Sequence, residues 1–394
     1  MIGFDRAISL IADQVAPLGS ETVALADAAQ RVLSAPLYAR SAAPRRDVSA
    51  MDGYAVFDAA TRPGEALQVI GESRAGAGFT GAVQPGQAVR IFTGAPMPPG
   101  ADRCIMQEYA SRDGDQVRFA EGYGPGWHVR KAGSDFAAGA LLLAAGTRLT
   151  PQAMVAAAAA DHADLVVALP PRVAIISTGD ELAPPGQAHL RGDAIPESVS
   201  FGVAAMAAAA GALVVDRRTG ADDLPALERA AGAALDLADL VIVTGGASVG
   251  ERDFARAMFA PHGLDLLFSK VAIKPGKPVW LGRARGKWVL GLPGNPTSAM
   301  VTARLFLQPV LARLLGQSAQ APLGWRHLPL AAPLGPTGDR ESFVRAIWSQ
   351  AGLVPLGNQD SGVQGGLAQA DWLVRCPPEQ PPQEAGTLVT ALPF

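Results

Sequence analysis

Lys270, Lys274 and Lys277 stand four and three residues apart in the segment FSKVAIKPGKPVW. They belong to a window, residues 266–338, that holds nine Lys and Arg and no Asp or Glu. The whole chain has 33 bases and 36 acids, a net charge of −3, so its positive charge is concentrated rather than spread. Pro-Gly pairs in KPGKP and in the following GLPGNP fold such a stretch into tight turns. The spacing therefore predicts a compact anion site. A nucleic-acid surface would want a broader basic face, and there is no alternation of aromatic with basic residues.

Acids and glycines cluster elsewhere, after short apolar runs. ISTGDEL carries Asp180 and Glu181, TGADD carries Asp222 and Asp223, and VTGGASVGERDF carries Gly245, Gly246, Ser248, Gly250 and Asp253. Glycines after a strand let backbone N–H groups approach an anion, and a helix N-terminus adds a favourable dipole. Carboxylates repel anions but hold Mg²⁺, which can bridge phosphates. Together they suit a metal-bound phosphate ester beside a second oxyanion. Each piece also has a plainer reading. The paired glycines are an ordinary tight turn, Asp222 a helix cap, Asp180 and Glu181 a solvated loop. Lys270 and Lys274 would then be solvent-face charges, and Arg345 an exposed strand charge.

Other chemistries are excluded more firmly. GxxxxGK[ST] does not occur, so the usual P-loop fingerprint fails. The five histidines show no HxH or HExxH spacing. Cys104 and Cys376 are too far apart for a CxxC zinc site and argue against a disulfide framework. Ser361, in NQDSG, has no base beside it and reads as a hydrogen-bond donor to an anion. In the first half, SAMDGYAV places Ser49, Asp52 and Gly53 at a turn, IFTGAPMPPGAD places Thr93 after a strand, and VRKAGSDF places Arg130, Lys131 and Asp135 in a polar loop.

The elements that must position these residues follow from periodicity. Residues 4–15 carry Phe4, Ile8, Ile11 and Val15 on one helical face. The stretch 40–140, rich in Gly and Pro, predicts a β-rich insertion domain. From Pro170 strands and helices alternate: RVAIIST, SFGVAAMAAAAG, ALVVDRRT, DDLPALERAAGAALDLA, DLVIVTGG, RDFARAMFAPHG, LDLLFSKVAIKP and the long helix TSAMVTARLFLQPVLARLL. Near-continuous apolar strands of this kind predict a parallel, doubly wound three-layer α/β domain whose ligands bind at the strands' carboxyl ends. After residue 320, short β-like pieces predict a small C-terminal β-barrel. The expected division is 1–45 with 140–169 as an elongated domain, 46–139 as the insertion, 170–320 as the α/β domain and 321–394 as the barrel. The first 15 residues show no secretory pattern, and the longest apolar run, FGVAAMAAAAGALVV, is too short to span a bilayer. A cytoplasmic protein with no nucleic-acid or membrane partner is expected.

Taken in order, SAMDGYAV, IFTGAPMPPGAD, VRKAGSD, ISTGDEL, TGGASVGERDF, AIKPGKP and GLPGNP resemble the MoeA family of molybdopterin molybdenumtransferases, which includes the E domain of gephyrin. The likeness runs over essentially the whole chain. It implies the four domains above, an elongated homodimer with a cleft shared between subunits, and insertion of molybdate into adenylated molybdopterin with Mg²⁺ assisting and AMP leaving. Carried onto this chain, it implies that Lys274, Lys277, Pro278, Arg345 and Ser361 hold molybdate. Glu181, Asp222 and Asp253 would face the metal and the pyrophosphate. Lys270, Pro293 and Pro296 would line the cleft with the glycine turn of Gly245, Gly246 and Ser248. Asp52, Thr93 and Asp135 would reach it from the partner subunit. An adenylyltransferase and recipient molybdoenzymes are further implied partners. A related adenylyltransferase and a non-catalytic pterin-binding scaffold are the alternatives; the extra domains and KPGKP argue against the first, and no added linker or partner domain speaks for the second. Two positions depart from the family pattern: Val199 stands where Asn is usual, and Asp161 where Gly is often found.

Overall fold

The computed structural model describes residues 1–245 and 254–394. Its centre is a six-stranded sheet built of β1 Arg172–Thr178, β2 Leu213–Gly220, β3 Leu240–Thr244, β4 Asp265–Phe268, β5 Trp280–Ala284 and β6 Lys287–Leu292, in the order β2-β1-β3-β6-β5-β4. The side chains of β1 alternate between two cores. Val173 and Ile175 enter one with helix α1 (Val199–Ala209), and Ala174 and Ile176 enter the other with α2 (Leu224–Leu237). The sheet is thus covered on both faces, which is why its strands read as unbroken apolar runs.

The sheet is mixed, not wholly parallel. β2, β1, β3 and β6 run parallel, but β5 pairs antiparallel with both β6 and β4. The cause is local: Arg285 and Gly286 both adopt positive φ, 49° and 75°, and reverse the chain as a two-residue hairpin. The run LDLLFSKVAIKP is likewise not one strand. Asp265–Phe268 closes the central sheet, whereas Ile273–Lys274 pairs with Glu341–Ser349 of the C-terminal sheet. The long helix also divides, into α3 (Pro296–Thr302), a π stretch (Ala303–Leu307) and Gln308–Leu314. Pro309, lacking an N–H, cannot bond back one α-turn, so the ladder shifts register ahead of it.

Residues Phe4–Gln14 form the expected helix and bury Phe4, Ile8 and Ile11 in the larger of the two α/β cores. Phe4 packs edge-on against Phe306 at 5.8 Å and Phe343 at 5.2 Å. The Arg375 guanidinium lies over the Phe4 ring and pairs with Asp5 and Glu341, tying this helix to the C-terminal strands. Those strands form a sheet curled into a half-barrel, with Leu330 bridged to Leu353 at one end. A third six-stranded sheet spans Gly53–Phe119. Smaller two-stranded ribbons join Ser20–Ala24 to Asp164–Ala168 and Leu37–Tyr38 to Leu141–Leu143, flanking the helix Pro151–Ala159.

Asp161 has φ of 68°, the left-handed conformation that glycine adopts freely, and its carboxylate pairs with Arg45 at 3.0 Å. Val199 is 8% exposed at the first turn of α1, within the apolar core. Both cysteines are free and buried. Among the described residues, no helix is long and apolar enough to cross a membrane.

Candidate functional site

The carboxyl ends of β1, β3 and β6 converge. Gly245, just after β3, has φ of 94°, and a Cβ there would sit 2.4 Å from the Thr178 carbonyl oxygen at the end of β1. Gly294, just after β6, lies so near Gly245 that its own Cβ would be 3.3 Å from the Gly245 Cα. Only glycine meets both demands at Gly245. Gly245→Ala is accordingly expected to lower the thermal midpoint by several degrees and to abolish turnover, read by scanning calorimetry and product release. A variant with wild-type midpoint and rate contradicts this packing.

The carboxylates sit on adjoining loops. Gly179 N–H donates to Gly220 O, and the Asp222 N–H donates to Asp180 Oδ1 at 2.9 Å, joining the turns after β1 and β2. The exposed Glu181 carboxylate folds back over Gly179, where a Cβ would meet its Oε2 at 2.6 Å. The cap of α2 is Asp223, whose Oδ2 accepts from the Ala226 N–H at 3.2 Å, so Asp222 is not the capping residue. Gly246, Ser248 and Asp253 lie outside the described residues. Among those described, no three His, Cys, Asp or Glu side chains form a metal-holding group. Glu181 and Asp222 offer carboxylate oxygens, the donors a hard cation such as Mg²⁺ takes.

The cationic part is built on α3. The KPGKP turn packs there through Gly276, φ 107°, whose Cβ would be 2.2 Å from Thr302 Cγ2 and 3.7 Å from Ser298 O. The loop carrying Ser361 packs on the same helix. Asn295 Nδ2 donates to Ser361 Oγ at 2.9 Å, the Thr297 N–H donates to Ser361 O at 3.1 Å, and Thr297 Oγ1 donates to Val363 O at 2.6 Å. Pro293 is buried just before this turn, and Pro296 opens the helix. Lys270, Lys274 and Lys277 are exposed, and none makes an ion pair or hydrogen bond through its side chain with a described residue. Lys274 pairs in register with Ser342 and lines a cavity of about 380 Å³ with Pro275, Phe343 and Gln359. Lys277, Pro278 and Ser361 are not among the walls of that cavity.

Arg345 is 1% exposed, which removes the reading of an exposed strand charge. Its guanidinium donates to Thr297 Oγ1 at 3.3 Å and to the carbonyls of Asn358 and Asp360, both at 3.1 Å. Burial pushes its pKa down, and the Asp360 carboxylate partly restores it. Gln359 completes the clamp, accepting the Arg345 N–H and donating to the Arg345 carbonyl. Arg345 thus fixes the Ser361 loop from beneath. Sequence reasoning singled out Arg345 and Ser361 but missed Gln359, Asn295 and Thr297. NQDSG and GLPGNP contained the first two, and Thr297 follows at once.

Asp52 and Thr93 meet at the edge of the N-terminal sheet. Asp52 Oδ1 accepts from the Thr93 N–H at 2.7 Å and from Thr93 Oγ1 at 2.9 Å. The backbone bond, then the hydroxyl, holds the Asp52 carboxyl below its usual range. Asp135 is exposed, its N–H donating to Ala43 O. A larger cavity, about 630 Å³, lies at Arg148, Met300 and Arg304 and contains none of the residues singled out from the sequence.

Glycine turns, carboxylates and lysines whose side chains have no partner among the described residues thus gather at the carboxyl edge of a mixed α/β sheet. The chain matches the MoeA N-terminal region (domain I and II) over residues 2–160, a probable molybdopterin binding domain over 174–313 and the MoeA C-terminal region (domain IV) over 327–394. It is 33% identical to a molybdopterin molybdenumtransferase of Haemophilus influenzae, over 100% of this chain and 99% of that one. It is 36% identical to a molybdopterin molybdenumtransferase 2 of Mycobacterium tuberculosis, over 93% of each. The crystal structure of a molybdopterin biosynthesis MoeA protein from Pyrococcus horikoshii OT3 superposes with a TM-score of 0.86 at 25% identity, over 100% of both chains. The chain belongs to the MoeA family. It is an enzyme of molybdenum cofactor biosynthesis, a molybdopterin molybdenumtransferase.

Proposed function

We propose that the chain inserts molybdate into the dithiolene of adenylated molybdopterin, with Mg²⁺ bound and AMP as the leaving product. The observation that carries this reading is the shared seat on α3. The KPGKP turn and the Ser361 loop both pack on it, and Gly294 of the preceding turn touches the Gly245 strand end. Molybdate is a tetrahedral dianion and wants several cationic and hydrogen-bonding donors in a fixed cage. Lys274 and Lys277 supply the charge, Ser361 a hydroxyl and Pro278 a rigid wall, while Arg345 holds the Ser361 loop in register.

Glu181, Asp222 and Asp253 would hold Mg²⁺, which when bound offsets negative charge on the pyrophosphate. Asp180 keeps the Asp222 loop against the Glu181 loop through its hydrogen bond to the Asp222 N–H. Lys270, Pro293, Pro296 and the Gly245–Gly246–Ser248 turn line the pterin and AMP portion. Asp52, Thr93 and Asp135 complete the cleft of a second copy in a homodimer. The substrate's dithiolene provides the sulfur ligands, so the chain's two buried cysteines are not drawn upon. The domain division is 1–45 with 140–169, 46–139, 170–320 and 321–394, the last carrying the half-barrel. An adenylyltransferase upstream and molybdoenzymes downstream are the partners this reaction requires.

The test is incubation of the purified chain with adenylated molybdopterin, molybdate and Mg²⁺. AMP release that depends on molybdate is expected. ATP consumption with unadenylated pterin, or pterin binding with no turnover, contradicts the proposal.

A further inference from the structure

Glu197 is a buried carboxylate, 5% exposed, that none of the roles above employs. Its Oε1 accepts the Ser200 N–H at 2.8 Å and the Ser177 hydroxyl at 3.2 Å, and its Oε2 accepts the Ser200 hydroxyl at 2.5 Å. Ser177 Oγ in turn accepts from Thr244 Oγ1 at 3.0 Å. Ser177 and Thr244 lie at the carboxyl ends of β1 and β3, immediately ahead of the turns that carry Glu181 and Gly245.

The main chain of the same segment grips the Glu181 loop directly. The Ile195 N–H donates to Glu181 O and the Glu197 N–H to Ala183 O, both at 2.8 Å, so Ile195–Pro196 runs as a parallel partner of Leu182–Ala183. Glu197 therefore links two strand ends, the first turn of α1 and the Glu181 loop. A buried carboxylate is tolerated only when fully hydrogen-bonded and balanced by charge. The balancing cation stands one bond away: Arg217 Nη1 donates to Ser200 Oγ at 3.3 Å, with its guanidinium 3.5 Å above the Phe201 ring.

We propose that Glu197 is a positioning residue of the transferase, setting the β1 and β3 ends so that Glu181 and the Gly245 turn face the same ligand. The inference rests on the assignment of Glu181 to the metal. Its spacing from the reaction is one loop, and a shift of about 1 Å in such a support costs about a hundredfold in rate.

The test uses full-length Glu197→Ala, Glu197→Gln and Glu181→Gln. For Glu197→Ala, the half-saturating Mg²⁺ concentration for AMP release is expected to rise about tenfold and kcat to fall about a hundredfold. Amide hydrogen exchange across residues 178–183 should quicken, with the thermal midpoint still above the assay temperature. Loss of folded protein alone lowers kcat but leaves the Mg²⁺ half-saturation in place. Glu197→Gln preserves the shape and one acceptor oxygen. It should recover most of the exchange protection and part of the rate, and it serves as the variant of record if the alanine form does not fold. Unchanged Mg²⁺ dependence and exchange in the Glu197 variants, alongside a shifted Mg²⁺ dependence in Glu181→Gln, overturns the role of Glu197 and spares the metal assignment. Wild-type Mg²⁺ dependence in Glu181→Gln overturns the metal assignment and this inference with it.

Discussion

Lys274→Ala is expected to lower kcat/KM for molybdate about a hundredfold, with the KM for adenylated molybdopterin changed less than about threefold. That loss corresponds to about 2.7 kcal/mol of transition-state binding. The asymmetry follows from position. Lys274 ends the two-residue strand against Ser342, in a stretch without acids, and its ammonium has no ion-pair or hydrogen-bond partner among the described residues. Its charge is therefore available to an oxyanion. The glycine turns at the strand ends, on which a phosphate would lean, are untouched by the substitution. Lys277→Ala should act in the same sense, and the double variant should not respond to molybdate within the usable range. Steady-state AMP release against molybdate and pterin concentration measures both constants. Equal losses for the two ligands would contradict the division of labour.

Arg345→Met is expected to destabilise the chain by about 3 kcal/mol or more and to remove molybdate saturation with it. The methionine fills part of the space but strands the carbonyls of Asn358 and Asp360, both now served by one guanidinium nitrogen, and leaves Thr297 without its donor. The Ser361 loop then loses its hold at Asn358 and Asp360 while keeping the bonds of Gln359 to the residue-345 main chain and its own bonds to Asn295 and Thr297. Arg345→Lys should not rescue it, since a single ammonium does not reproduce the fork that reaches a hydroxyl and two carbonyls at once. Urea unfolding gives the stability change, and AMP release in the folded variant gives the functional one. A variant of wild-type stability that still saturates with molybdate would show that the clamp is dispensable.

Much of this was legible in the residues. The alternation from Pro170 onward gave β1 to β4 and the helices beside them but neither β5 nor β6, because strands buried on both faces carry an apolar signature only where helices separate them. The un-neutralised lysines and the carboxylates at successive strand ends were visible for the same reason: they interrupt that signature at regular places. The antiparallel β5–β6 hairpin was hidden because its turn is Arg285–Gly286 rather than a more familiar Asn-Gly pair, and because both strands are as apolar as parallel ones. The break after Phe268 was hidden because nothing local stops a run that simply changes sheets. The burial of Arg345 was hidden because it depends on carbonyls supplied by a loop thirteen residues away. Glu197 was given no role because only the fold brings Ser177, Ser200 and Thr244 around it.

The most direct measurement is the anomalous difference map of a crystal soaked in molybdate. The account predicts one strong molybdenum peak within hydrogen-bonding reach of the Lys274 and Lys277 ammonium groups and the Ser361 hydroxyl, weakened when Lys274 is alanine. A peak at the Arg148 and Arg304 cavity instead, or no ordered molybdenum at α3 in a crystal that binds it elsewhere, would contradict the account.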